Sequence, residues 1–140
     1  EEHAVRILHT SDWHVGVTMK GRSRLDEQRA VFKQMVDIAR DEAVDLVIVA
    51  GDLFDTASPS AESQRLLFSA LSALRGTGAE VVVIAGNHDN GKALEALRHW
   101  AHAAGIHLRG SLGKAADHLV TGETEGGERW RCAALPFIAQ

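Results

Sequence analysis

Cysteine is nearly missing from this chain of 140 residues: Cys132 stands alone. A single thiol makes no intramolecular disulfide and no sulfur-rich zinc site, which suits a reducing compartment and leaves Cys132 as an expected core thiol. Also missing is any apolar run near the roughly 18 residues of a membrane-spanning helix. The start, Glu1-Glu2-His3, lacks the charged-then-apolar pattern of a secretory signal. The expectation is a cytoplasmic protein with no membrane partner, with earlier removal of a presequence left open. No Met opens the chain, so a piece of a longer protein is expected. Nor is there a basic excess: 15 Lys and Arg against 19 Asp and Glu leave a formal charge of −4. A local basic patch can coexist with that balance, so composition neither supports nor excludes DNA. Repeats, low-complexity tracts and obvious linkers are absent too.

What is present is 45% hydrophobic content, enough for one globular domain with a real core. The spacing predicts a strand over Ala4–His9, a polar loop through Lys20-Gly21-Arg22, and a helix over about Arg24–Ala43. In that helix Leu25, Phe32, Met35, Val36 and Ala39 recur at helical spacing. Asp45–Ala50 reads as a second strand. Ser58 before Pro59 resembles an N-cap with proline at the first helical position, opening a helix through Leu67, Ala70, Leu71 and Leu74 that Gly76 and Gly78 stop. Glu80–Ala85 reads as a third strand, Gly91–Ala104 as a third helix stopped by Gly105, and Ile106–Arg109 as a fourth strand. Beyond Gly110, His118–Thr121 and Arg129–Ala133 read as two strands joined by the turn Gly122–Glu128, and Leu135–Gln140 as the beginning of another. Alternating strands and helices predict an α/β fold with a mostly parallel sheet and helices against it.

Three of the apolar runs end in metal-ligand residues: His9 to His14, Gly51 to Asp55, and Gly86 to Asp89. Open α/β sheets place ligands outside the carboxyl ends of their strands, so the three clusters are expected to converge. Asp12 and His14 are one residue apart, which in extended backbone points both to one side with Trp13 turned away. Asp52 offers two oxygens able to bridge a pair of cations, and Asn87 a neutral amide oxygen. Carboxylate, imidazole and amide together favour manganese, iron or zinc. Two such ions roughly 3.5–4 Å apart suit phosphate-ester hydrolysis. The His88 imidazole is placed to hydrogen-bond a phosphoryl oxygen or protonate the leaving oxygen.

Bland readings stand beside these. Asp and Asn cap strands and helices without any ion. Asp55 is weighed evenly between metal contact and a supporting hydrogen bond. His9 is read as a supporting or packing residue. His99 and His102 are read as surface side chains, and Lys20, Arg22 and Arg24 as solvated surface that a DNA phosphate can also reach. Trp13 is expected at the site entrance, Trp100 beneath its helix, and Trp130 on the buried face of the terminal hairpin.

Asp12-Trp13-His14, Gly51-Asp52-Leu53-Phe54-Asp55 and Gly86-Asn87-His88-Asp89 resemble the first three motifs of calcineurin-like metallophosphoesterases. Within them, His9 to Gly16 and Ala50 to Thr56 are similar to the bacterial SbcD family of DNA nucleases. The resemblance covers about residues 4–110. It implies the N-terminal half of an α/β/β/α sandwich, two manganese ions, Asp12, His14 and Asp52 on one ion, Asp52 and Asn87 on the other, and His88 on the substrate phosphate. It also implies DNA ends or hairpins as substrate, an SbcC-type ATPase as partner, and a homodimer. That family completes its site with a Gly-His-x-His motif, which this sequence lacks; His99, His102, His107 and His118 do not match it. The expectation is therefore that residues 1–140 are the N-terminal part of a nuclease domain without its later ligand motifs and cap domain, and are inactive alone. A phosphatase, a cyclic-nucleotide phosphodiesterase and a non-catalytic interaction module are the alternatives.

Overall fold

The computed structural model describes residues 4–139. Strand β1 (Ile7–Thr10) is followed by a two-stranded ribbon, β2 (Thr18–Met19) and β3 (Arg22–Ser23), then helix α1 (Leu25–Asp41). Next come β4 (Leu46–Ala50), α2 (Ala61–Gly76), β5 (Glu80–Ile84), α3 (Gly91–Glu95), α4 (Arg98–Ala103) and β6 (Ile106–Arg109). A 3-10 turn (Ala115–His118) leads into the hairpin β7 (Leu119–Glu123) and β8 (Arg129–Ala133). No helix among the described residues is long and apolar enough to cross a membrane.

The central sheet has the order β1-β4-β5-β6, all parallel. Each connection steps one strand in the same direction, and crossovers of one hand stepping one way deliver their helices to one face. The packing shows this. Val47, Val49, Val81 and Val83 join the residues buried from α1, α2 and α3 in one cluster. Their alternates Leu46 and Val82, with Ile48 and Ile84 partly buried, pack against Val120, Trp130 and Ala134 of the hairpin region. Both faces of the strands are thus apolar, which is why they read as continuous runs instead of alternating ones.

Several local expectations are corrected. The loop after β1 contains the ribbon β2–β3, whose two central residues Lys20 and Gly21 have φ of 51° and 76°. Positive φ at both positions matches the twist of paired strands. Helix α2 is capped by Ser60, which accepts the Ser63 N–H at 3.0 Å, and not by Ser58. Two serines flank Pro59, and only the later one has its oxygen three residues before a free helical N–H. The single helix expected over 91–104 is broken at Ala96-Leu97, where the Leu97 N–H turns to Leu94 O at 2.9 Å. Trp100 is 79% exposed instead of packed beneath its helix, while Trp130 is buried as expected.

Leu135–Ala139 forms no strand, and Gln140 lies outside the described residues. Pro136 has no N–H to give a ladder, and the Phe137 N–H meets Ala85 O at 2.9 Å. Cys132 is only partly buried against the smaller cluster, and that burial raises its thiol pKa.

Candidate metal centre

The loops leaving β1, β4 and β5 are neighbours because those strands are adjacent in the sheet. Backbone bonds join the first two: Asp12 N–H to Gly51 O at 3.0 Å, His14 N–H to Asp52 O at 3.0 Å, and Val15 N–H to Leu53 O at 2.9 Å. The third is joined by a carboxylate. Asp89 accepts the N–H groups of Leu53 and Gly86 on Oδ2 and of Phe54 on Oδ1, at 3.1, 2.8 and 2.9 Å. The His88 N–H donates in turn to Asp52 Oδ1 at 3.0 Å. This close approach needs Gly86, because a Cβ there would lie 2.2 Å from Asp52 Oδ1.

The backbone that aims the ligands is not the extended one expected. Asp12, His14 and Asp52 have φ of 56°, 43° and 49°. Left-handed backbone at residues other than glycine costs about 1–3 kcal/mol each and persists only where surrounding contacts over-determine it. Here the inter-loop bonds do so.

The result is a cluster in which ligand atoms of Asp12, His14 and Asp52 all lie within 4.8 Å of one another. His14 Nε2 is 3.8 Å from Asp12 Oδ1 and 3.8 Å from Asp52 Oδ2. On the other side of the ring, Nδ1 is 3.4 Å from Asp55 Oδ1. Asp55 thus favours a proton on Nδ1 and leaves the Nε2 lone pair toward the carboxylates, as a histidine ligand requires. Among the described residues no Lys or Arg forms an ion pair with Asp12, Asp52 or Asp55. Converging carboxylates and an imidazole without a cationic side chain fit a divalent cation, and the mixed oxygen and nitrogen donors fit a first-row metal.

Asn87 and His88 are exposed on the third loop. The His88 ring meets that of His14 edge to face, with centroids 5.0 Å apart. Asn87 stands between the tethered residues Gly86 and His88, so its loop is brought to the cluster.

Other expectations fare differently. Trp13 is buried, its ring 4.6 Å from Phe32 and its Nε1 donating to Thr10 Oγ1 at 2.8 Å, so it anchors the loop instead of lining an entrance. His9 is exposed, not packed. His99 and His102 are exposed, and His107 Nε2 sits 3.1 Å from Glu80 Oε2. His118 is buried, accepting the Gly113 N–H on Nε2 and donating from Nδ1 to Ala134 O. Arg24 pairs with Glu27. The sequence reading assigned no role to Asp89 or Gln28. Only the position of Asp89 directly after the Asn-His pair hinted at its role, and nothing marked Gln28.

Comparison with known proteins agrees with this geometry. The profile described as calcineurin-like phosphoesterase matches residues 5–131. The chain belongs to this family. Calcineurin-like phosphoesterases bind divalent metals, and the Asp12-His14-Asp52 cluster is a possible site of that kind. This phosphoesterase chain is similar to the SbcD component of the SbcCD nuclease of Bacillus subtilis (strain 168), 50% identical over 107 residues, 76% of this chain and 27% of that protein. It is 39% identical to the SbcD component of the same nuclease in Rhodobacter capsulatus over 145 residues, 97% of this chain and 36% of that protein. With the namesake from Escherichia coli (strain K12) it shares 43% over 94 residues, 67% of this chain and 24% of that protein. The chain therefore spans about a quarter to a third of the length of these relatives.

Proposed function

We propose that this chain carries the first part of the metal centre of a DNA nuclease that hydrolyses phosphodiester bonds as one component of a larger complex. The observation that carries the reading is the Asp12-His14-Asp52 cluster, held within 4.8 Å, with no Lys or Arg among the described residues paired to its carboxylates. Asp12, His14 and Asp52 hold one manganese ion, and Asp52 with Asn87 contributes to a second. Divalent ions held there supply Lewis acidity and charge neutralisation for attack of water on phosphorus. His88, tethered through its N–H to Asp52, holds or donates a proton at the phosphoryl or leaving oxygen.

The Gly-His-x-His motif implied by the resemblance does not occur in this sequence, and on that reading the centre is incomplete and the 140 residues alone do not cleave DNA. The names of the similar proteins support a nuclease subunit that works with an SbcC partner. DNA ends or hairpins as substrate, an SbcC-type ATPase as that partner, homodimer formation, a role in break repair, recombination and replication, and a cytoplasmic location belong to the same proposal.

Calorimetric titration of manganese into this chain, with Asp52→Ala and His14→Ala, tests the centre. Weak binding that both variants abolish, with no cleavage of DNA hairpins by the chain, is expected. Binding unchanged in both variants overturns the ligand assignment, and efficient cleavage by the chain alone overturns the statement that it is inactive. With a complete protein, hydrolysis of a small nucleotide or phosphoprotein but not of DNA overturns the substrate.

A further inference from the structure

We propose that Gln28 is a positioning residue: its amide clamps residues 13–16 of the loop after β1 so that the His14 imidazole faces Asp12 and Asp52. The inference rests on reading that cluster as a metal centre. Gln28 lies in the first turn of α1, half-buried against the loop. Its Nε2 donates to two successive carbonyls, Trp13 O at 3.0 Å and His14 O at 3.2 Å. Its Oε1 accepts the Gly16 N–H at 3.1 Å. A primary amide supplies two donors and an acceptor in one plane without charge. The reverse orientation would set NH2 against the Gly16 N–H and oxygen against both carbonyls, so the three partners together fix it.

The loop is held along two edges. Its N–H groups at His14 and Val15 go to Asp52 O and Leu53 O. Its carbonyls at Trp13 and His14 face Gln28, which also takes the N–H of Gly16, a residue with φ of 95°. Beyond it α2 closes in, because a Cβ on Gly16 would come 2.5 Å from Ser63 Oγ. His14 itself has φ of 43°, a conformation that relaxes when its restraints are removed. Loss of the Gln28 amide frees Trp13 O and the Gly16 N–H, leaves His14 O with only the Val17 N–H at 3.0 Å, and lets the imidazole leave the line between Asp55 and the two carboxylates. Gln28 touches no ligand atom, and its action passes through the backbone of the ligand.

The test compares the 140-residue chain with Gln28→Met and Gln28→Glu. The first keeps the length and removes hydrogen bonding. The second keeps an acceptor for Gly16 and sets an oxygen against the carbonyls of Trp13 and His14. Hydrogen exchange of the Gly16 amide without metal and calorimetric titration with manganese are read together, with α1 amide exchange and the melting temperature reporting on the whole fold. In Gln28→Met, Gly16 protection falls about tenfold while the α1 amides hold. Manganese affinity falls about 10–100-fold in both variants, the range for residues that orient a ligand. Unchanged manganese affinity in folded variants overturns the inference, as does lost protection spread equally over α1. If the unaltered chain binds no manganese, the metal-centre reading fails. The clamp is then upheld by local loss of Gly16 protection with a shifted His14 imidazole resonance, and overturned if neither changes.

Discussion

Two charged clusters lie at strand ends of this molecule, and they are built on opposite principles. At the ends of β1 and β4, Asp12, Asp52 and Asp55 surround the His14 imidazole, with strained backbone at Asp12, His14 and Asp52 and, among the described residues, no Lys or Arg paired to the carboxylates. Beyond the end of β6, Glu95, Arg98 and Arg109 are each partnered. Glu95 Oε2 accepts the N–H groups of Gly110 and Ser111 at 2.9 and 3.2 Å, and Oε1 faces Arg98 at 3.3 Å. The buried Arg109 donates from Nε to Asp117 O at 2.6 Å and from Nη1 to Leu108 O at 3.1 Å. Burial, with Arg98 nearby, lowers the Arg109 pKa, and Glu95 and Asp117 offset part of that. A satisfied cluster fastens the fold, whereas an unsatisfied strained one costs stability and marks a place shaped for something else.

Substitution separates the two. Asp52→Ala removes a carboxylate of the cluster and is expected to weaken manganese binding by more than about a hundredfold, beyond the range for mere supporting residues. Its melting temperature is expected to change little, because loss of the bond from the exposed His88 N–H is offset by removal of one of the crowded negative charges. A fall comparable to that of a core variant would make the metal cluster structural and erase the contrast.

Asp55→Asn keeps the shape and weakens the hold on His14 Nδ1, for an expected loss of about tenfold in manganese affinity by the same titration. Glu95→Ala leaves that affinity unchanged but orphans two backbone N–H groups and destabilises the fold by about 1–3 kcal/mol in urea unfolding. The reverse pattern would exchange the roles of the clusters.

The pH dependence sharpens the contrast further. Burial pushes the Glu95 carboxyl up, but its bonds from Gly110, Ser111 and Arg98 outweigh that and leave its pKa lowered. A group with a lower pKa folded than unfolded adds stability above the usual glutamate range, and that contribution is lost as pH falls through the lowered folded value. Melts across acid pH should show the loss, and Glu95→Gln should flatten it. The smallest effect is expected at Arg29→Ala: its pair with the fully exposed Asp26 on the surface of α1, at 2.7 Å, is screened by water and adds little to stability measured by unfolding.

Much of this was legible in the sequence, for a physical reason. The strands Leu46–Ala50 and Glu80–Ile84 are buried on both faces, so an unbroken apolar run announces them. What went unread depends on choices between near-equal local signals. Ser58 and Ser60 both look like caps, and the break between α3 and α4 is paired with no glycine or proline at Ala96-Leu97. Trp100 lies on the outward side of a short helix, where its apolar character gave the wrong expectation. Within the site, the convergence of Asp12, His14 and Asp52 followed from strand order, yet the extended backbone invoked for Asp12 and His14 was wrong, since loops bonded across the sheet end hold left-handed φ.

The sequence by itself determined the order of elements, the parallel sheet and the three strand ends that carry candidate Asp, His and Asn residues, because hydrophobic runs and their endings are local and strong. Only the tertiary structure decided which neighbours serve the ligands. Asp55 faces the far side of His14, Asp89 binds N–H groups 35 and 36 residues away, and Gln28 holds a loop 14 residues before it. Hydrogen bonds of that kind leave no period in the chain: a carboxylate or amide finds its partner only after packing has brought distant backbone groups within about 3 Å and removed the water that would otherwise satisfy them.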